Sequence, residues 1–561
     1  MKFKKLNFVL VLQWFIVIVS AFYNFNLFAG SKLWGNAASR VLLAVGPQLG
    51  IGSPYKDLYE LVPPGYLVFI ASWVRLFGLS MISMRLIQVL LVVLNGFFLI
   101  KVGEKLFKNR WLQLFVFFSI IMTVHSRIIQ TDYFSIDFFA TTLVLGGLAT
   151  LLNIKNRFIK IPLAATLFVL ASQIKDIYIF SLISLFPYYW QALQKPQKKQ
   201  TFKLIVLSLI GPLVIAIVEL IYLSAVDSLP AYLDILINDK IGFGRNFSLK
   251  AIIRAYFTML MEVEETFLTT NYVIFGLIIT NLTLVFKLFE KPLAKAKPYQ
   301  WRSPYLKKQT LKLLKKQLRE YGKTELGKTL LTGLLIISTF YGLALYGLYY
   351  GTQLSMIITG YYLVVGILLI LPLQFIGALK VRWQKIGLLL LLFAIFLPKK
   401  AVFYYQFRPV IRYYPFEIEK AIMVRVDKND CILHVHGWEV AISYIYSQRR
   451  PCSRYFLANE LFNIKRGGVI ETYRRDLLNN PPAALLYNEL GSDLDIEKFN
   501  NQVIDFPRIL KHCYEPDPNF TDYLKHFFAK MTLYWPKPTL TKDQLKNCWA
   551  ENSVLSSGKN L

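Results

Sequence analysis

Residues 54–78 read PYKDLYELVPPGYLVFIASWVRLFG, and whether the apolar half of this stretch crosses a membrane decides how the chain is folded. The run from Pro64 to Gly78 is about 15 residues long and carries Arg75, whereas a hydrocarbon core of about 30 Å takes about 20 apolar residues. Counting it as a span would move every later connection to the opposite side of the membrane. As a helix lying in the outer interface, it leaves those connections where their charge belongs.

The chain around it is that of a polytopic membrane protein. Hydrophobic residues make up 55% of the 561 positions and charged residues only 17%. Lys and Arg number 64 against 34 Asp and Glu, a formal charge of +30. The basic residues collect in short connections between apolar runs. That pattern follows the positive-inside rule and argues against nucleic acid as a partner.

The N-terminal MKFKKLNFVLVLQWFIVIVSAFYNF has a basic flank and an apolar run too long for most signal-peptide cores. No small-residue cleavage site follows cleanly, so it reads as a retained helix with a cytoplasmic N-terminus. Further apolar segments lie near 84–102, 112–129, 132–153, 160–174, 176–192, 204–224, 268–288, 329–350, 354–376 and 386–402. The total is about 11 transmembrane helices. Two of them, 160–174 and 176–192, are short and need re-entrant or tight packing.

Alternating sides from the cytoplasmic N-terminus puts KVGEKLFKNR (101–110), NIKNRFIK (153–160), QKPQKKQTFK (194–203), the basic stretch 287–328 and KVRWQK (380–385) in the cytoplasm. The less basic connections 30–83, 130–131 and 225–267 fall outside, as does everything after about residue 403. The expected division is a transmembrane domain over 1–402 and a soluble extracytoplasmic domain over 403–561. Within the basic stretch, Leu306, Leu311, Leu314, Leu318 and Tyr321 share one helical face, with lysines on or beside the other. A surface helix on anionic lipid and a solvated connector fit this equally well.

All four cysteines, Cys431, Cys452, Cys513 and Cys548, lie in the last domain. Thiols confined to one domain agree with a compartment that permits disulfides. No CxxC spacing is present. Cys431–Cys452 and Cys513–Cys548 are the expected pairs, although four cysteines allow three connectivities. VRVDKNDCILHVHG and VAISYIYSQ have the pattern of strands and IEKFNNQVIDFPRILKHC that of a helix with a following loop, so the domain reads as α/β. His434 and His436 alternate on one strand face with no third ligand near in sequence, so packing or hydrogen bonding explains them better than a metal. No metal ligand is assigned, and a divalent metal is possible as a cofactor.

The ionisable groups at the outer boundary carry the chemistry, because charge near lipid is costly. The first outer loop has two carboxylates, Asp57 and Glu60, in a segment stiffened by Pro54, Pro63 and Pro64 after a turn eased by Gly50 and Gly52. HSRIIQTDYFSIDFFATTL (125–143) carries Arg127, Asp132 and Asp137 where one span gives way to the next. Asp132 suits a helix N-cap and a catalytic carboxylate equally. ASQIKDIYIF (171–180) places Lys175 beside Asp176, as a structural ion pair or as a cation for a phosphate.

In order, the chain has an N-terminal span, a long outer loop with PYKDLYELVPPGY and an interface helix ending LFG, Arg85 opening the next span, RIIQTDYFS at a later outer boundary, and Lys175 two spans on. This order resembles the GT-C superfamily of polytopic glycosyltransferases, and within it the bacterial relatives of family 39, the protein O-mannosyltransferase and aminoarabinose transferase group. The resemblance covers most of residues 1–190. CILHVHGWEVAISYIYSQRRPCSRYF and LLNNPPAALLY extend it to the extracytoplasmic domain that ends many bacterial members.

The resemblance implies a hexosyl- or pentosyltransferase that takes a sugar from a polyprenyl-phosphate carrier and passes it to a lipid, glycan or protein acceptor outside the plasma (inner) membrane. A loop carboxylate would act as general base in an inverting displacement, with cations stabilising the departing phosphate. The sequence departs from the family early in the loop. Where many members carry an Asp, LWGNAASR (33–40) offers Asn36, which is no base at neutral pH. The role then passes to Asp57 or Glu60, with Asp132 assisting and Arg127, Lys175 and Arg85 near the phosphate, or the chain is a non-catalytic relative. A transporter or a protein that handles lipid-linked oligosaccharides is the remaining alternative. It would be expected to bury charge at mid-membrane and often to show repeated halves, and no internal repeat is evident.

Overall fold

A computed structural model describes, apart from isolated positions, residues 8–28, 35–106, 136–186, 198–241, 417–435, 440–456, 467–488, 499–520 and 531–553. The segments expected as spans near 112–129, 268–288, 329–350, 354–376 and 386–402 lie outside these residues, essentially in full, as does the basic stretch 287–328. The helices described before residue 242 are α1 (Phe8–Phe28), α2 (Gly35–Leu49), α3 (Pro64–Phe77), α4 (Met81–Leu106), α5 (Ile136–Asn153), α6 (Arg157–Ile174), α7 (Lys198–Ala225) and α8 (Leu229–Asp234). After it come α9 (Glu417–Arg425), α10 (Val440–Ser447), α11 (Val469–Asn479), α12 (Phe506–Cys513) and α13 (Lys542–Asn552), with strands β1 (Cys431–Val435), β2 (Arg450–Pro451), β3 (Ala484–Asn488), β4 (Tyr514–Pro516) and β5 (Met531–Pro536).

The chain forms two compact units. The first comprises Met1–Ala29, Met84–Ala216 and Phe247–Ile411. Among the described residues three helical stretches are long and apolar enough to cross a membrane, Ile82–Lys105, Arg157–Ile174 and Gln200–Ala225. Small residues bring the helices of this unit together. Gly96 of α4 lies against Val17 of α1, Gly147 of α5 against Phe168 of α6, and Gly211 of α7 against Thr166 of α6, each too close for a side chain. Asn95 Nδ2 donates to Thr142 Oγ1 at 3.2 Å, joining α4 to α5. In α6, Asn156 caps the start by accepting from Phe158 N at 2.9 Å. After Ile174 the chain tightens into a 3-10 helix, Asp176–Leu185, the described part of the short apolar run 176–192.

The second unit is discontinuous, built from Gly30–Ser83, Ile217–Asn246 and Arg412–Leu561. Residues 30–83, expected as a loop, hold the helix α2. Ala38, Val41, Leu42, Leu43, Ala44 and Val45 of α2 are almost wholly enclosed, and α2 packs on α3 and on α10. Burying Val41, Leu42, Leu43 and Val45 contributes about 1.5–3 kcal/mol each, which helps to secure α2. α3 starts at Pro63–Pro64, where the missing amide donor does no harm, and ends at Gly78 (φ 76°).

The C-terminal part of this unit carries a mixed five-stranded sheet of order β2-β1-β3-β5-β4. β1 runs parallel to β2 and β3, whereas β5 is antiparallel to both β3 and β4. Cys431 on β1 is bonded to Cys452 just after β2, and Cys513 at the end of α12 to Cys548 in α13. Trp549, fully enclosed, donates to Tyr514 Oη at 2.9 Å, and Tyr514 in turn donates to Pro482 O at 2.7 Å.

One expectation is corrected. VAISYIYSQ is helical, not a strand, over Val440–Ser447. Ala441, Ile442, Ser443, Tyr444 and Ile445 are buried in succession, because α10 is packed by α2, α9 and β1. Burial on several sides removes the alternation that separates helix from strand, and tertiary packing then overrides the β propensity of Ile and Tyr. Similarly, the expected helix in IEKFNNQVIDFPRILKHC is interrupted, with its clear part in α12, capped by Asp505 through Arg508 N at 3.1 Å.

Candidate active site

The turn between α2 and α3 is built from the main chain outward. Gly50 (φ 68°) reverses the chain after α2, and Ile51 N donates to Gly46 O at 2.9 Å. A side chain at Gly46 would meet Gly52 O at 2.6 Å, so these two glycines allow the turn to lie against the helix end. Residues 53–58 then close a small loop. Asp57 N donates to Ser53 O at 2.9 Å, Tyr55 N donates to Leu58 O at 2.7 Å, and Ser53 N donates to Asp57 Oδ2 at 2.8 Å.

Asp57 and Lys56 sit exposed at the tip of this loop. Among the described residues, Asp57 Oδ1 takes no hydrogen bond. Lys56 pairs with the carboxylate of Asp227, itself at a left-handed position (φ 53°). That hydrogen bond and charge hold the ammonium above its ordinary range. Glu60 is different. It is buried, and its Oε1 lies 3.2 Å from Arg40 Nε of α2, with 7% and 13% of the two side chains exposed.

Around these lies a cluster of aromatic and charged groups. Tyr55 Oη donates to Val62 O at 2.7 Å, and its ring lies 5.0 Å from that of Tyr232. Tyr59 Oη donates to Asp239 Oδ2 at 3.0 Å, and burial, then the Asp239 charge, pushes this phenol far up. Arg454 of the C-terminal segment donates from Nη2 to Tyr55 O at 2.8 Å and lies over the rings of Tyr59 and Tyr455. Sequence reasoning passed over Arg40, Asp227, Asp239 and Arg454. The available signal was the expectation that 225–267 and the tail fall on the same side as residues 30–83, which makes their charged residues candidates for partners of that segment.

The other expected site residues lie elsewhere. Arg85 is buried in the opening turns of α4 and donates from Nη1 to Gln88 Oε1 at 2.9 Å. Lys175 follows α6 as its C-terminal cap residue and is buried. Its amide donates to Ala171 O at 3.1 Å, and its carbonyl accepts from Tyr178 N at 3.0 Å. Arg85 and Lys175 both belong to the first unit, Asp57 and Glu60 to the second. Arg127 and Asp132 lie outside the described residues.

His434 is buried, with Nδ1 3.0 Å from Ser443 Oγ and its amide donating to Tyr444 Oη at 3.2 Å, so it is committed within the α10–β1 packing. Among the described residues no group of three or more His, Cys, Asp or Glu side chains could hold a metal ion.

No family model and no curated protein matches the chain. Solved structures do. ArnT from Cupriavidus metallidurans in the apo state aligns with a TM-score of 0.50 at 10% identity, over 94% of this chain and 97% of that one. The same protein bound to undecaprenyl phosphate gives 0.48 at 11%, over 94% and 98%. The archaeal oligosaccharyltransferase AglB from Archaeoglobus fulgidus, in complex with an inhibitory peptide and a dolichol-phosphate, gives 0.47 at 9%, over 98% of this chain and 78% of that one. At 10% identity, the likeness to apo ArnT is one of fold.

Proposed function

We propose that the chain is an integral-membrane glycosyltransferase of the GT-C type, which moves a sugar from a polyprenyl-phosphate carrier to an acceptor hydroxyl on the extracytoplasmic face. The observation that carries this reading is the 53–60 turn. It displays one exposed carboxylate, Asp57, with an oxygen left open, on a fold shared with apo ArnT along 94% of the chain.

In the proposed reaction Asp57 accepts the acceptor's O–H proton as that oxygen attacks the anomeric carbon. The new C–O bond forms as the bond from the anomeric carbon to the phosphate oxygen breaks. The polyprenyl phosphate leaves with the electron pair, and the configuration inverts. Lys175, Arg85 and Arg127 are proposed to offset its charge, and Asp132 to position donor or acceptor. Glu60 serves the turn structurally, because its charge is already met by Arg40 in a buried pair.

One observation favours a second reading. Asn36, in the first turn of α2, stands where many family members have an acid, which is what a non-catalytic relative would show. Sugar transfer by purified protein in lipid separates the two. Turnover that disappears in Asp57→Asn supports the enzyme, and a folded protein that binds undecaprenyl phosphate yet transfers nothing supports the relative.

A further inference from the structure

Arg454 grips the turn from both sides of Asp57. Its Nη2 donates to Tyr55 O at 2.8 Å, and its own carbonyl accepts from Tyr59 N at 2.9 Å. These two links bracket Lys56, Asp57 and Leu58. The guanidinium also lies 5.5 Å from the Tyr59 ring centroid and 5.4 Å from that of Tyr455, and the two rings are 5.0 Å apart. Such a planar, stacked fork has no equivalent in lysine.

Arg454 is itself held firmly. Two residues earlier, Cys452 is bonded to Cys431 of β1, and its amide donates to Ile432 O at 3.2 Å. Ser453 Oγ donates to Asp476 Oδ2 of α11 at 2.8 Å and accepts from Tyr455 N at 3.3 Å. Among the described residues, the exposed tip, Lys56 and Asp57, has by contrast only the short-range bonds of residues 53–58 and the surface pair of Lys56 with Asp227.

We infer that Arg454 is a positioning residue: it fixes the 55–59 segment and with it the direction of the Asp57 carboxylate, and the Cys431–Cys452 disulfide acts on transfer by holding Arg454 in place. This rests on the reading of Asp57 as the base. The extracytoplasmic domain then contributes to the reaction without touching the reacting atoms, and reduction of one disulfide lowers turnover at a turn far away in sequence. A base displaced by about 1 Å can cost about 100-fold in rate.

The test uses full-length protein in lipid. The four native cysteines are paired, so a nitroxide attaches only to an introduced Lys56→Cys, or in a control sample to Lys546→Cys on α13. Transfer of sugar from polyprenyl-phosphate donors is measured on unlabelled protein. In Arg454→Ala, and with Cys431 and Cys452 both changed to Ser, the label at 56 should gain mobility while that at 546 does not. kcat should fall about 10- to 100-fold with donor KM within about threefold, and Arg454→Lys should be intermediate.

An unchanged label at 56, or a mobile label with normal kcat, overturns the positioning role. Equal mobilisation of both labels in Arg454→Ala and Arg454→Lys does so too, since it marks Arg454 as part of the general fold. Wild-type protein that transfers no sugar would overturn the reaction assigned to Asp57, and the label at 56 would still report whether Arg454 holds the turn. The two failures are therefore distinct.

Discussion

Asp57 and Glu60 stand three residues apart in opposite surroundings. Asp57 is exposed with one oxygen tied to Ser53 N, whereas Glu60 is buried against Arg40. Asp57→Asn should therefore reduce transfer by about 100-fold or more, the size of a general-base contribution, with thermal stability unchanged. Transfer at the wild-type rate would remove Asp57 from the mechanism. Arg40→Ala should instead act on stability, lowering it by about 3 kcal/mol because a buried carboxylate loses its counter-charge. Thermal unfolding in detergent reads this, and Arg40→Met with Glu60→Leu together should lose much less. Gly52→Ala tests the turn itself. A side chain there would meet Asp57 Cβ at 2.7 Å from a backbone with φ 152°, so transfer should drop while carrier binding persists.

The two carboxylates were visible in the sequence as the only ones in the first outer loop, but their difference was not. It depends on Arg40, twenty residues before Glu60, on a helix within a segment expected as loop. α2 forms because α3 and α10 cover it, and neither neighbour is implied by its own residues. α10 was misassigned for the related reason that burial on several sides erased its periodicity. The helix expected at 64–78, by contrast, agrees with α3 to a residue, between Pro63–Pro64 and Gly78, because capping chemistry is local. At this scale the disulfides invite a comparison. They close loops with sequence separations of 21 and 35, worth about 3–4 kcal/mol each by chain entropy. Changing Cys513 and Cys548 to Ser should lower the unfolding temperature and leave turnover per folded molecule intact. The same change at Cys431 and Cys452 should lower both, because only that bond precedes Arg454. Equal turnover in the two double variants would separate the disulfide from the site.

At the scale of the molecule, hydropathy and charge sufficed for a membrane protein, and the chain shares a fold with apo ArnT along 94% of its length. What sequence order concealed is that the first outer loop, residues 217–246 and the tail build one compact unit. Its contacts, from Lys56 to Asp227, Tyr59 to Asp239 and Tyr55 to Arg454, join residues more than a hundred positions apart. No local pattern encodes such pairings. The measurement that bears most directly on this account is sugar transfer by the purified full-length protein in lipid, with a panel of polyprenyl-phosphate hexoses and pentoses, run beside Asp57→Asn. The account predicts turnover with at least one donor, inversion at the anomeric carbon, and loss of turnover in the variant with carrier binding retained. Equal turnover in wild type and Asp57→Asn, or none from a folded wild-type protein with any donor, would contradict it.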